Sequence, residues 1–379
     1  MTNSVGIIEQ LTGRMRPRHR RFHRAFEQLS AKLGLQPYRL SQPTLRQRLA
    51  MQAEMRLRGY RSLRLDEPGT VALLHQALNR GTTPYLAEFD VPLALHGYDI
   101  RRHQRAAAAA RSLMEQPQLR SLLTFSDWAR RSFELHFGPA VGAKCRTVYP
   151  LAFEEAHCGS FDQRTYDFAF ISISFRTKCC PETVRAFCRA RALAGGGARM
   201  CVVTRLAQAR QQLGDLERYE GVDWREATLT ESEIAALLAD ARCLLHPSLN
   251  DSFGVVVLEA LAAGCAVVAT DIASFPEMVS HEGNGWILHA PTAAVVGETF
   301  ITELGTVAYH EAYLNTLSLH RLEEALGEVM LRFLSDPQRA RAMMMASHVL
   351  YQERFSLAAW ERGMTRVLAD SFPELGLSG

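Results

Sequence analysis

The 379-residue chain is 47% apolar and 22% charged, ordinary values for a soluble globular protein of roughly two domains. It holds no apolar run approaching the ~20 residues that span a bilayer, and the residues after Met1 form no signal peptide, so a cytoplasmic location is expected. Its eight cysteines show no paired CxxC spacing, which argues against a zinc site and for roles as small core residues. The net charge of +3 hides an asymmetry: residues 1–64 carry thirteen Arg and one Lys against Glu9, Glu27 and Glu54, a net +11, leaving −8 for the rest. Such a basic face either attracts phosphates, on lipids, nucleic acids or anionic acceptors, or is a solvated arginine-rich surface.

In chain order, Val5 to Ile8 reads as a strand, followed by a loop holding Gly13 and Pro17. Phe22, Phe26, Leu29 and Leu33 then share one face of a helix that Gly34 ends, and residues 36–40 make the next strand. This βαβ opening suits a doubly wound domain. Residues 40–70 show arginine-rich helical periodicity without a clear strand. Tyr85 to Phe89 and Leu122 to Ser126 read as strands, Ala106 to Ala110 and Asp127 to Phe137 as helix, and Cys145 to Pro150 as a last strand before periodicity is lost at 150–165.

A second array begins at the strand Tyr166 to Ile171, passes through a loop to Pro181 and a helix from Glu182 to Arg191, and returns in the strand Met200 to Val203. Residues 242–288 alternate strand, loop, helix, strand, loop, short helix and strand, the pattern of a parallel α/β sheet. Val255 to Ala263 is apolar at every position except Glu259, so the helix is buried and its carboxylate needs a partner. Leu322, Ala325, Leu326, Val329 and Phe333 form a further helix face, Asp336-Pro337 punctuates, and Phe355 to Leu368 is the last helix.

The run Pro247-Ser248, Asp251, Phe253-Gly254 and Glu259, continued by Ala262-Ala263-Gly264, Val267 to Thr270 and Pro276-Glu277, resembles the donor half of family 4 glycosyltransferases. In that family a first Glu stands where this chain has Asp251. The resemblance implies an α/β GT-B fold, two Rossmann-like doubly wound domains facing a central cleft. It implies an N-terminal acceptor-side domain at 1–155, a nucleotide-sugar donor domain at 156–354, and a final helix at 355–379 crossing back to the first domain.

The function it implies is retaining, metal-independent transfer of a hexose-type sugar from a UDP- or GDP-sugar, with no cofactor. Lys178 would meet the donor diphosphate, Glu259 the ribose hydroxyls, and Asp251 the hydroxyls and anomeric centre of the sugar. Arg176, Ser252, Phe253, Gly254 and Val255 complete the expected donor site, Phe253 and Gly254 bringing backbone N–H groups to a helix start. Gly13, Arg14, Arg16, Asp90 and His96 are candidates on the acceptor side. Three features depart from the pattern. Ser172 stands where an Arg usually precedes the Lys, no His ends the strand at 85–90, and Asp251 is one methylene short, about 1.5 Å less reach. Cys179-Cys180 and Ala273-Ser274 also stand where glycines are common.

Two other readings compete. A catalytically impaired GT-B protein would bind a nucleotide or a partner without turnover, and a binder of anionic polymers or membranes would use the basic N-terminal face. The acceptor, anionic or lipid-linked, and any peripheral association at the inner membrane face would draw on that same basic region, whereas nucleic acid is not expected.

Overall fold

The computed structural model describes residues 6–10, 17–35, 38–153, 158–292, 295–297, 299–300, 313–314 and 316–377. The chain divides into two compact units, one of Met1–Leu151, Val296–Gly305 and Leu357–Gly379, the other of Ala152–Val295 and Thr306–Ser356.

Unit 1 runs β1 (Gly6–Gln10), α1 (Pro17–Lys32), β2 (Tyr38–Ser41), α2 (Leu45–Arg58), β3 (Ser62–Leu63), β4 (Thr70–His75), β5 (Leu78–Asn79), β6 (Tyr85–Phe89), α3 (Pro92–Leu95), α4 (Ile100–Met114), β7 (Leu119–Thr124), α5 (Asp127–Phe137), α6 (Pro139–Gly142) and β8 (Cys145–Thr147). Its main sheet is parallel in the order β2-β1-β4-β6-β7-β8, so the direction of winding reverses between β1 and β4. Helices cover both faces of such a sheet, which is why its central strands read as unbroken apolar runs. Phe22, Phe26 and Leu29 of α1 bury their face against Ile7, Val71 and Leu73 of the sheet. Trp360, Met364, Val367 and Leu368 join the same core from the last helix, Leu357–Ser371, and Ser371 bonds Ser121 of β7 at 2.8 Å. Each such side chain contributes roughly 1.5–3 kcal/mol on burial. The stretch after residue 40, which showed only helical periodicity, holds α2 and β3, and the strand β4 follows it.

Unit 2 runs β9 (Tyr166–Ile171), α7 (Cys180–Leu193), β10 (Met200–Thr204), α8 (Leu206–Leu213), β11 (Val222–Glu226), α9 (Glu231–Ala239), β12 (Ala241–His246), α10 (Val255–Ala262), β13 (Ala266–Thr270), α11 (Phe275–Met278), β14 (Gly285–Leu288), α12 (His320–Ser335) and α13 (Pro337–Arg354). Its sheet is parallel in the order β11-β10-β9-β12-β13-β14. The alternation read in residues 242–288 is the one that folds. Arg164, itself buried, anchors α10 from below: Nη2 donates to Ala263 O at 2.7 Å and Nη1 to Gly264 O at 3.3 Å and to Ala241 O. A cation on the last carbonyls of a helix satisfies acceptors that have no partner within it. Among the described residues no helix is long and apolar enough to cross a membrane.

Candidate functional site

In an open parallel sheet, ligands bind beyond the carboxyl ends of the strands where the winding reverses. In unit 2 that place lies between β9 and β12. The loop leaving β9 brings Lys178, the loop leaving β12 brings residues 247–254, and Leu249 N donates to Thr177 O at 2.9 Å to hold the two loops together.

The Lys178 ammonium is held by three oxygens: Ser248 Oγ at 2.7 Å, the Asn250 carbonyl at 3.0 Å, and the Asp251 carboxylate. Asp251 also accepts from His246 Nε2 at 3.2 Å and from Phe253 N at 3.3 Å. Burial alone would raise the Asp251 carboxyl, but the Lys178 charge and the His246 bond outweigh it and hold the group well below the usual carboxylate range. His246 is pushed down by burial and by Lys178, so it stays neutral, with Nε2–H donating to Asp251. Its Nδ1 is buried and has no hydrogen-bond partner among the described residues.

The turn into α10 needs an unusual backbone. Gly254 has φ +79, and a Cβ there would lie 2.4 Å from the Phe275 ring. Only glycine combines that left-handed conformation with so close a neighbour. Ser274 Oγ donates to Phe253 O at 2.8 Å and fixes the other side of the turn. Phe253 is buried, Ser252 and Val255 are half-buried, and Glu259 lies one turn into α10 with 8% of its surface exposed. Of the four residues standing where glycines are common, Cys179 and Ala273 adopt positive φ, +52 and +49. The loops thus keep a glycine-like path without the glycine.

Lys178, Asp251, Ser252, Phe253, Gly254 and Val255 are therefore gathered around one loop pair, and Glu259 is buried on the helix that follows. Arg176 faces elsewhere, its Nη1 3.4 Å from Glu182 Oε1. Ser248 and His246 belong to the cluster, though the sequence offered the first only as part of the Pro247-Ser248 pair and did not single out the second. A histidine closing an apolar strand one residue before Pro-Ser was the available signal.

In unit 1, Asp90 is buried and accepts from Tyr98 OH at 2.7 Å and its own neighbour Val91 N at 3.0 Å. His96 is fully buried, with Nδ1–H donating to Gly59 O at 2.7 Å and burial holding its pKa down at about 4. Both are thus held by hydrogen bonds within their own unit. Gly13, Arg14 and Arg16 lie outside the described residues.

A cluster that the sequence did not announce sits at the reversal point of unit 1. The His75 ring, at the end of β4, is bridged by Nε2 to Glu9 of β1 at 2.8 Å and by Nδ1 to Glu88 of β6. Tyr38 OH also donates to Glu9, and His23 Nδ1 stands 3.0 Å from it. Burial would keep His75 neutral, but its two carboxylate partners raise it to about 9, so it is an imidazolium donating from both nitrogens. Glu88 borders a cavity of about 20 Å³ with Arg18, His19, Phe125 and Trp360, room for one water.

Residues 172–299, about a third of the chain, match the family model described as Glycosyl transferases group 1. Alpha-maltose-1-phosphate synthase of Mycolicibacterium smegmatis is 31% identical over 156 residues, 41% of this chain and 32% of that protein. MMP alpha-(1->4)-mannosyltransferase of Mycolicibacterium hassiacum is 31% identical over 141 residues, 37% of this chain and 29% of that protein. The chain thus spans about a third of the length of these curated relatives. Over nearly the whole chain, two solved structures superimpose. Sucrose-phosphate synthase from Thermosynechococcus elongatus does so with TM-score 0.64, 13% identity and coverage of 97% of this chain and 99% of that one. HepE of Anabaena, in complex with UDP and glucose, does so with TM-score 0.61, 13% identity and coverage of 96% and 99%. Such low identities speak for the architecture alone, and the architecture of this chain, two parallel α/β units, is the GT-B fold.

Proposed function

We propose that this chain is a retaining glycosyltransferase that moves a hexose-type sugar from a nucleoside-diphosphate sugar to an acceptor hydroxyl, without a metal ion. The observation that carries the reading is the Lys178–Asp251 pair on the two loops of the unit 2 reversal point, beside the glycine-led start of α10. The names of the partial relatives support sugar transfer, and the UDP and glucose bound to HepE support a nucleoside-diphosphate sugar as donor, a UDP- or GDP-sugar.

The Lys178 ammonium pairs with the Asp251 carboxylate. A donor diphosphate would take Lys178 and the N–H groups at the start of α10, releasing Asp251 to hydroxyls of the sugar. The bond between the anomeric carbon and the diphosphate oxygen then breaks, with Lys178 balancing the charge that develops on the leaving phosphate. Asp251 supports the positive charge at the carbon, and the acceptor oxygen bonds to the same face while its proton passes to the departing phosphate. Glu259 holds the ribose hydroxyls. The acceptor is taken to be anionic or lipid-linked and met at the cytoplasmic face of a membrane.

A second reading, nucleotide binding without turnover, is favoured by Arg176, which Glu182 engages, so that Lys178 alone among these two cations joins the Asp251 cluster. Incubation with UDP-, GDP- and ADP-hexoses and a panel of sugar and lipid-linked acceptors separates the two. Release of one nucleoside diphosphate, with the sugar's anomeric configuration kept in the product and both lost in Asp251→Asn, supports transfer. Binding with no release from any donor supports the second reading instead.

A further inference from the structure

We propose that α2 is a membrane-surface helix, laying a leucine stripe into the headgroup boundary of an anionic bilayer while its arginines meet the lipid phosphates. This extends the membrane side of the proposed function and stands independently of the transfer chemistry. The helix is firmly built. Thr44 and Gln47 form a capping box at its start, and Gly59 closes its end in a left-handed turn, φ +80. Yet none of its fourteen residues is buried. A surface helix of a globular protein normally turns its apolar stripe inward. Here the side turned toward the unit holds the half-buried Arg48, Met51, Glu54 and Met55, while Leu45, Leu49 and Leu57 are 65%, 56% and 82% exposed.

At roughly 100° per residue those three leucines fall within an arc of about 120°, and Arg46 and Arg56 project within the same arc. Arg58 pairs with Glu54 at 2.5 Å, and Arg80 reaches the same carboxylate at 3.3 Å, so the acidic residue of α2 is already neutralised. The end of α2 abuts the start of α4: the position a Cβ would take at Gly59 is 3.7 Å from Arg102 O and 3.9 Å from the Arg105 guanidinium. Arg101 and Arg105, both exposed, enlarge the basic rim.

The mixture selects the occupant. A nucleic acid would use the arginines and leave three leucines in water. A protein surface or a second copy would bury the leucines and have to desolvate the arginines interleaved with them. The boundary of an anionic bilayer takes both, because acyl chains lie a few ångströms below the phosphates and arginine stems snorkel between them.

The test is co-sedimentation of the full chain with phosphatidylcholine vesicles and with vesicles of equal parts phosphatidylcholine and phosphatidylglycerol. Binding is expected only to the anionic vesicles and is expected to weaken with salt. Leu45→Ser/Leu49→Ser/Leu57→Ser and, separately, Arg46→Gln/Arg56→Gln should each lower it at least tenfold. All five positions are exposed, so circular dichroism and the nucleotide affinity without vesicles should match wild type and show that the fold survives. Absence of binding to anionic vesicles overturns the proposal. So does binding that either variant retains in full, and so does a dimer in sedimentation that the leucine variant abolishes while vesicles are ignored.

Discussion

Lys178→Met tests the energetic picture of the unit 2 cluster. The ammonium lies among Ser248 Oγ, the Asn250 carbonyl and the Asp251 carboxylate, with 8% of the residue exposed. Taking away one partner of a buried ion pair costs 3–5 kcal/mol in general, because the other charge is left uncompensated. Asp251 would keep two longer bonds, from His246 at 3.2 Å and Phe253 N at 3.3 Å, so a loss near the lower end, about 3 kcal/mol, is expected. Asp251→Asn keeps an acceptor oxygen for Lys178 but removes the compensating charge, and should cost about 2 kcal/mol. Because both variants break the same contact, the double variant should lose about 1–2 kcal/mol less than the two losses added together. Urea unfolding at neutral pH measures all four proteins. The Asp251 carboxyl is depressed on folding, so its contribution is present above the unfolded pKa and fades as pH falls below it. Wild type and Asp251→Asn should therefore converge in acid. Strict additivity of the two single losses, or a gap that persists in acid, would refute the reasoning.

Other consequences concern single positions. Gly254→Ala meets both a left-handed backbone and the Phe275 ring, and is expected to lose about 2 kcal/mol of stability together with nucleotide affinity, part of which Phe275→Leu should restore. His75 is raised on folding to about 9 from an ordinary value near 6.5, so its stabilisation is full below 6.5 and is lost as pH rises through 9. That amounts to about 3 kcal/mol by the usual conversion, and a urea midpoint that falls across this range in wild type but not in His75→Gln is the expected signature. Arg164→Met removes the guanidinium donor of the Ala241, Ala263 and Gly264 carbonyls, leaving Ala241 O only the Cys265 thiol, and should lower stability by about 3 kcal/mol in thermal or urea unfolding.

The loops after β9 and β12 were legible although Lys178 and Asp251 lie 73 residues apart, because each loop is chemically odd within its own βαβ segment. An apolar helix interrupted by Glu259, a Phe-Gly entry and a Lys after the first strand of a new βαβ array all break local rules, and such breaks mark sites. The unit 1 cluster was not legible. Glu9, His75 and Glu88 are 66 and 13 residues apart along the chain, and only the strand order β1-β4-β6 makes them neighbours. Nor could the strand Thr70–His75 be read after a helix whose exposed leucines blur its own period. His96 illustrates the converse: a histidine in sequence reach of the strand end at Phe89 proves to be held by Gly59 in the interior, because α3 turns it inward.

In the proposed function, unit 2 binds a nucleoside diphosphate through Lys178 and Glu259. Calorimetric titration of UDP, GDP and ADP into wild type and Glu259→Ala tests it most directly. Selective binding of one base is expected, with affinity at least tenfold weaker in the variant, a change of about 1.4 kcal/mol. Failure of all three to bind, or equal affinity in the two proteins, would contradict it.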